Sequence, residues 1–206
     1  MLIGLIGVLY MVIFGALTIL RHEGLSFRFV VESMCVTAIA ILLVVLAAIQ
    51  IHPVIFLLLL YAVTMRVRIL TDLANVIAGR GNFLQAEKIY DLASRLWPDR
   101  ANEQLIDVNH AILLLQKNQL NESIAMFNDI LSESNKDYLG IKYKAAAHYN
   151  LGVAYQREEN HDMAIHEFKA VLDTWPASLY AHRAQKALER LGNNHMADVD
   201  NQPPEG

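Results

Sequence analysis

The side chains able to do chemistry are few and poorly spaced for it. His161 and His166 stand five apart, neither i+3 nor i+4, so they do not share a helix face as a pair of metal ligands would. His166-Glu167 lacks the second histidine of a zinc-protease motif, and His22-Glu23 is an isolated dipeptide. Cys35 is the sole cysteine, which excludes an intramolecular disulfide and a cysteine zinc cluster. No glycine-rich phosphate loop and no Gly-x-Ser-x-Gly elbow occurs. The expectation is a protein that is not an enzyme and uses no cofactor or metal. Glu32 stands out because it interrupts an apolar stretch. It follows Arg28 by four residues, the helical spacing of an ion pair, and a carboxylate inside a membrane can mark a proton path or a partner contact.

The elements that would position these groups change character near Arg66. Hydrophobic residues make up 54% of the chain, high for a soluble protein, and the excess lies before Arg66. Up to Arg68 the net charge is +2, so the remainder carries −6 of the total of −4. An acidic soluble part argues against a nucleic-acid partner.

Residues 2–20 carry no charged side chain and match the roughly 20 residues a helix needs to cross a bilayer. A cleaved signal peptide would need a basic start and a small-residue cleavage site, and neither is present. The apolar run resumes from Phe29 to Met65. As one helix it would exceed about 50 Å, against a hydrocarbon core of about 30 Å, so it must turn. Gln50-Ile51-His52-Pro53 is the obvious turn, with Pro53 suited to the first position of a helix. The predicted membrane region is therefore 1–66, with spans at 2–20, 30–49 and a short third at 53–67. The competing arrangement has two spans, with 54–65 lying in the interface. With three spans, Arg21, Arg28, Arg66 and Arg68 fall on one side, which places the following domain in the cytoplasm. The third span is expected to run into the next helix without a break, since 66–70 contains no Gly, Pro or polar interruption. Ser33 and Thr37 form a small-x-x-x-small face that can pack on another helix.

Beyond Arg66, residues 145–178 contain His148-x-x-Leu151-Gly152-x-x-Tyr155, then Ala164-x-x-x-Phe168, then Pro176. The small residues belong where two helices cross, the aromatics fill the space around the crossing, and the proline ends the second helix. Ser123-x-x-x-Phe127 with Ala111 and Leu114 repeats the arrangement. So does Ala86-x-x-x-Tyr90 with Leu73, Ala74 and Ile77, followed by Trp97-Pro98 as Trp175-Pro176 follows the last copy. This pattern resembles the tetratricopeptide repeat, a helical hairpin of about 34 residues, with His148 in place of the usual Trp. Ala86 to Ser123 is 37 residues and Ser123 to Ala164 is 41, an excess that extended helices around 132–143 would absorb.

The resemblance implies an all-α fold: N-terminal transmembrane helices, then a tetratricopeptide solenoid over 67–192 with repeats at 67–100, 104–137 and 145–178. A capping helix follows at 179–191, stopped by Gly192, and 193–206 is a polar disordered tail. It also implies a scaffold or adaptor whose concave groove takes a protein or peptide ligand, since anchored relatives of this kind serve as assembly factors for membrane complexes, including photosynthetic ones. Asn75, Asn109 and Asn150 are the groove candidates, because an amide donates and accepts at once, as a peptide ligand requires. Family members that hold acidic tails also place cations there; Thr71, Ala146 and Asn150 occupy those places here, so a carboxylate-tail ligand is not expected. The alternative is a small subunit of a transporter or membrane enzyme, with Glu32 and the Gln50–Pro53 turn at work and the repeats as a regulatory arm.

Overall fold

The computed structural model describes residues 2–20, 26–47, 49–134 and 140–200, the side chains of 133–134 and 194–200 excepted. Arg21, His22 and Glu23, residues 135–139 of the stretch 132–143 where extended helices were expected, and the end of the tail from 201, lie outside the described residues. Ten helices and no strand occur among those described: α1 Leu2–Leu20, α2 Phe27–Leu46, α3 Pro53–Thr64, α4 Arg66–Gly79, α5 Phe83–Arg95, α6 Arg100–Gln116, α7 Leu120–Ser134, α8 Ile141–Arg157, α9 His161–Thr174 and α10 Leu179–Asp200. Packing divides the chain into two compact units, Met1–Asn109 and His110–Gly206, so the division falls within α6, whereas the composition changes at Arg66.

In the first unit, α1 and α2 are long and apolar enough to cross a membrane; their 19 and 20 residues rise about 28 and 30 Å. They pack through small residues. Ser33 and Thr37 are buried, and a Cβ placed on Gly7 would lie 2.5 Å from Thr37 Cγ2 and Oγ1, so the backbones meet where only glycine fits. Ser26 caps α2 by accepting from Phe29 N at 3.3 Å. Pro53 takes the first turn of α3, as its fixed φ predicts, with His52 capping. Tyr10 of α1 shares a 2.6 Å hydrogen bond with Thr64 of α3, which ties the three helices around Phe29, Phe56 and Leu60.

The expected unbroken passage from the third apolar helix into α4 is not found. With 12 residues α3 rises only about 18 Å, and α4 turns away from it by 74° at Met65. At the break Arg66 Nη1 donates to Val63 O at 2.7 Å, taking the acceptor that the Val67 N–H would use in a continuous helix. Neither Gly nor Pro is needed for such a break.

Past this bend, three helix-to-helix turns are built alike. Gly81, Asn118 and Glu159 adopt left-handed φ of 80°, 61° and 62°. In each case the following N–H reaches back across the turn: Asn82 N to Ile77 O at 3.2 Å, Gln119 N to Leu114 O at 3.0 Å and Asn160 N to Tyr155 O at 3.0 Å. Asn82 and Asn160 then cap α5 and α9 through their side-chain oxygens. These turns are 37 and 41 residues apart, the intervals separating Ala86, Ser123 and Ala164 in the sequence. Only the first turn uses glycine. Asn118 and Glu159 hold the same geometry at a cost of about 1 kcal/mol or more each, which the packing of the flanking helices offsets.

The small residues sit at the crossings. Ala74 and Ala86 are fully buried in the first unit; Ala111, Ser123, Gly152 and Ala164 are buried in the second. A Cβ on Gly152 would meet the Phe168 ring at 2.8 Å. Ser123 keeps its hydroxyl in this dry place by donating to Ala111 O at 2.9 Å. Around these contacts the second unit forms two clusters, one on Phe127 and Leu151, the other on Phe168, Val171 and Ala184.

Two details differ from the sequence reading. α10 does not stop at Gly192: it continues to Asp200, with Gly192 outside the left-handed region that a stop signal requires, so the cap is longer than 179–191 and part of the expected tail is helical. The Trp-Pro pairs also diverge. Trp175 packs against the Phe168 cluster at φ −152°, while Trp97 is 77% exposed with φ 47°.

Candidate functional site

Among the described residues, two places stand out where an acidic side chain meets basic partners. The first lies in the first unit, where α2 begins and α3 gives way to α4. Arg28 Nε donates to Glu32 Oε1 at 2.8 Å, the expected i,i+4 pair. Arg66, 34 residues later, completes it with a two-pronged contact, Nη1 to Oε2 at 2.6 Å and Nη2 to Oε1 at 2.9 Å. The same guanidinium donates through Nε and Nη2 to Leu96 O, both at 3.2 Å. Beside it, Ser26 Oγ donates to Asp99, whose other oxygen caps α6 at Asn102 N, 2.9 Å away. The Glu32 carboxylate therefore has a guanidinium at each oxygen. That arrangement locks α2, the α3–α4 bend and the α5–α6 loop together, and its three charge-assisted bonds fill most of the roughly four acceptor sites of the carboxylate.

The second place lies in the second unit. His148 of α8 and Glu167 of α9 meet across the hairpin at 2.6 Å between Nδ1 and Oε2, with their side chains 15% and 8% exposed. His166 approaches the other oxygen at 3.2 Å from the exposed side. His148 holds the position where the resembled repeat places Trp, so a polar pair replaces an apolar plug. Glu167 was passed over in sequence because a carboxylate next to a histidine signals nothing without its distant partner. Burial pushes the Glu167 carboxyl upward, but the bonds from His148 and His166 outweigh it and leave the group below its ordinary value of 4.5.

A lowered carboxyl adds stability that is complete above the unfolded value and is lost as pH falls through the folded one. We therefore expect the unfolding temperature of the protein to fall more steeply below about pH 5 than that of Glu167→Gln. Parallel acid profiles for the two proteins would show that the pair is not coupled to folding.

The three candidate asparagines are placed differently from one another. Asn109 and Asn150 occupy equivalent positions, two residues before Ala111 and Gly152, and each donates to the carbonyl four residues back: Leu105 O at 2.6 Å and Ala146 O at 2.8 Å. Asn75 comes one residue after Ala74; the position equivalent to Asn150 in its helix is Asp72. Its side-chain oxygen accepts from the Tyr90 hydroxyl at 2.5 Å, a contact within the hairpin. Burial raises the Tyr90 hydroxyl to about 12, with the Asp72 charge adding to the shift, so it remains a donor at all physiological pH. Of the places where cations were sought, Thr71 and Ala146 are buried. No cluster of metal-ligating side chains is found among the described residues. Compared with family models, with curated proteins and with solved structures, the chain finds no match.

Proposed function

We propose that this protein is a membrane-anchored scaffold of the tetratricopeptide type that holds a segment of another protein during recruitment or assembly of a membrane complex. It has no catalytic step and needs no cofactor. The observation that supports this most is the triplicate turn: three left-handed residues with matching backbone bonds at intervals of 37 and 41, in register with the small-residue crossings and placed after two helices fit to span a bilayer. A hairpin repeated in this way offers the same helix face again and again, which suits an extended ligand better than a small molecule. Asn109 and Asn150, which leave their side-chain oxygens outside the back-bonds, are the amides best placed to accept from a ligand backbone. Asn75 contributes only if it releases Tyr90. With α3 counted as a third crossing, Arg21, Arg28, Arg66 and Arg68 fall on one side and favour a cytoplasmic repeat domain.

The subunit alternative draws on Glu32, but its enclosure by Arg28 and Arg66 is that of a structural lock. The two readings separate by photo-crosslinking in intact cells, with the crosslinker at Asn150 in one experiment and at Leu42 of α2 in another. A protein trapped from Asn150, and lost when Asn109 and Asn150 are both replaced by Ala, is the scaffold result. Partners trapped from Leu42 alone would overturn it. In the same cells, with Cys35→Ala as background, a cysteine at Gln50 is expected to react with an impermeant reagent from outside and one at Gln202 is not.

A further inference from the structure

Three cations of α10 stand across a groove from α8. In the second unit, α8 and α10 bound a groove of about 310 Å³. Arg183, Lys186 and Arg190 line it from α10 at i, i+3 and i+7, one stripe of the helix, while Tyr149 and Gln156 line it from α8. All three cations are exposed, and no carboxylate lines the groove. None of the three makes an ion pair with a carboxylate among the described residues. The floor is aromatic: Tyr149 and Phe168 line it with their rings 5.9 Å apart, and Tyr180 packs behind Tyr149 at 5.7 Å. This cluster interrupts a chain that is otherwise acidic after Arg68, so local charge here runs against the net charge.

We infer that this groove binds an acidic peptide segment of a partner protein, in extended form, with carboxylates at alternate positions. The stripe from Arg183 to Arg190 spans about 10 Å along α10, the length of about three residues of extended chain. Side chains two apart in such a chain point the same way and stand about 7 Å apart, so an Asp/Glu-x-Asp/Glu sequence sets two carboxylates between the ends of the stripe, where the long side chains of Arg183 and Arg190 reach in and take them with two parallel bonds. Gln156 can pair with the ligand backbone, and Tyr149 offers a ring to the intervening residue. This inference rests on the scaffold reading and names the chemistry of its partner.

The test uses the full chain in detergent micelles and fluorescein-labelled synthetic dodecapeptides, read by anisotropy. One peptide alternates Glu with Leu; the control carries Gln for every Glu. We expect the Glu peptide to bind at least about tenfold more tightly than the control, and to weaken as salt shortens the reach of the charges. The triple variant R183Q/K186Q/R190Q should lose at least about tenfold in affinity for the Glu peptide. Its folding is checked by an unchanged helix spectrum, which is expected because all three side chains are exposed. The charge-reversed variant R183E/K186E should instead prefer a Lys-Leu peptide. Equal binding of both peptides, equal binding by wild type and the triple variant, or tighter binding of a single-stranded oligonucleotide would each overturn the inference. A negative result here together with positive crosslinking from Asn150 removes the acidic ligand and keeps the scaffold.

Discussion

Phe168→Ala is expected to be the most damaging single substitution in the second unit, lowering stability by about 3–5 kcal/mol. Phe168 has no exposed surface, and three helices depend on it: its own α9, α8 through Gly152 and Tyr149, and α10 through the cluster of Ala181 and Ala184. For a domain of this size such a loss lowers the unfolding temperature by more than about 10 °C. Far-UV circular dichroism on the full chain in detergent would read it. Gly152→Ala attacks the same contact from the other side, because its new Cβ would sit 2.8 Å from Cδ1 and Cε1 of the ring. That overpacking costs about 1–3 kcal/mol. The two effects should not add: once Phe168 is Ala, the methyl at 152 occupies vacated space and costs much less. Additive losses would mean that the ring does not set the distance between α8 and α9.

The second large effect is expected where the apolar helices α1 and α2 meet. Gly7→Leu places a branched side chain where even a Cβ would lie 2.5 Å from Thr37, so α1 must move off α2. The movement also strains the Tyr10–Thr64 hydrogen bond that ties α1 to α3. We expect a loss of about 3 kcal/mol, at the upper end for an overpacked site, and faster proteolysis of the detergent-solubilised protein. Gly7→Ala should be milder, and Thr37→Ala should partly rescue it by removing the two atoms it strikes. Full stability of Gly7→Leu would sink the close-packed α1–α2 contact. The outward positions Leu5 and Val12 offer controls: both are exposed in the isolated chain, and exchange for another large apolar residue there should change little.

The small-residue register was readable because it is local. Ala74, Ala86, Ala111, Ser123, Gly152 and Ala164 recur at fixed offsets from a larger side chain, Ile77, Tyr90, Leu114, Phe127, Tyr155 and Phe168, and each of the six small residues is buried. The helical class and the two apolar spans were readable for the same reason: periodicity and length are properties of a window of sequence. The matching turns were not anticipated, since Gly81, Asn118 and Glu159 share no residue type and only the backbone shows their kinship. The break at Met65 escaped because Arg66 occupies the Val63 carbonyl with its side chain, which no Gly or Pro announces.

The sites show the same division more sharply. Arg28 and Glu32 are four apart on one helix, so their pairing was fixed by sequence alone. Arg66 is 34 residues from Glu32 and His148 is 19 from Glu167; the contacts exist only because helices return alongside one another. The basic groove belongs to this second kind. Arg183, Lys186 and Arg190 read in sequence as the solvated face of a cap, and only the packing of α10 beside α8 makes them one wall of a groove whose other wall carries Tyr149 and Gln156. Sequence alone determined the helices, their small crossing residues and their fitness for a bilayer, because those depend on neighbours within a turn or two of helix. Tertiary structure decided which charges meet, because charges far apart in the chain become partners only when the fold brings their helices together.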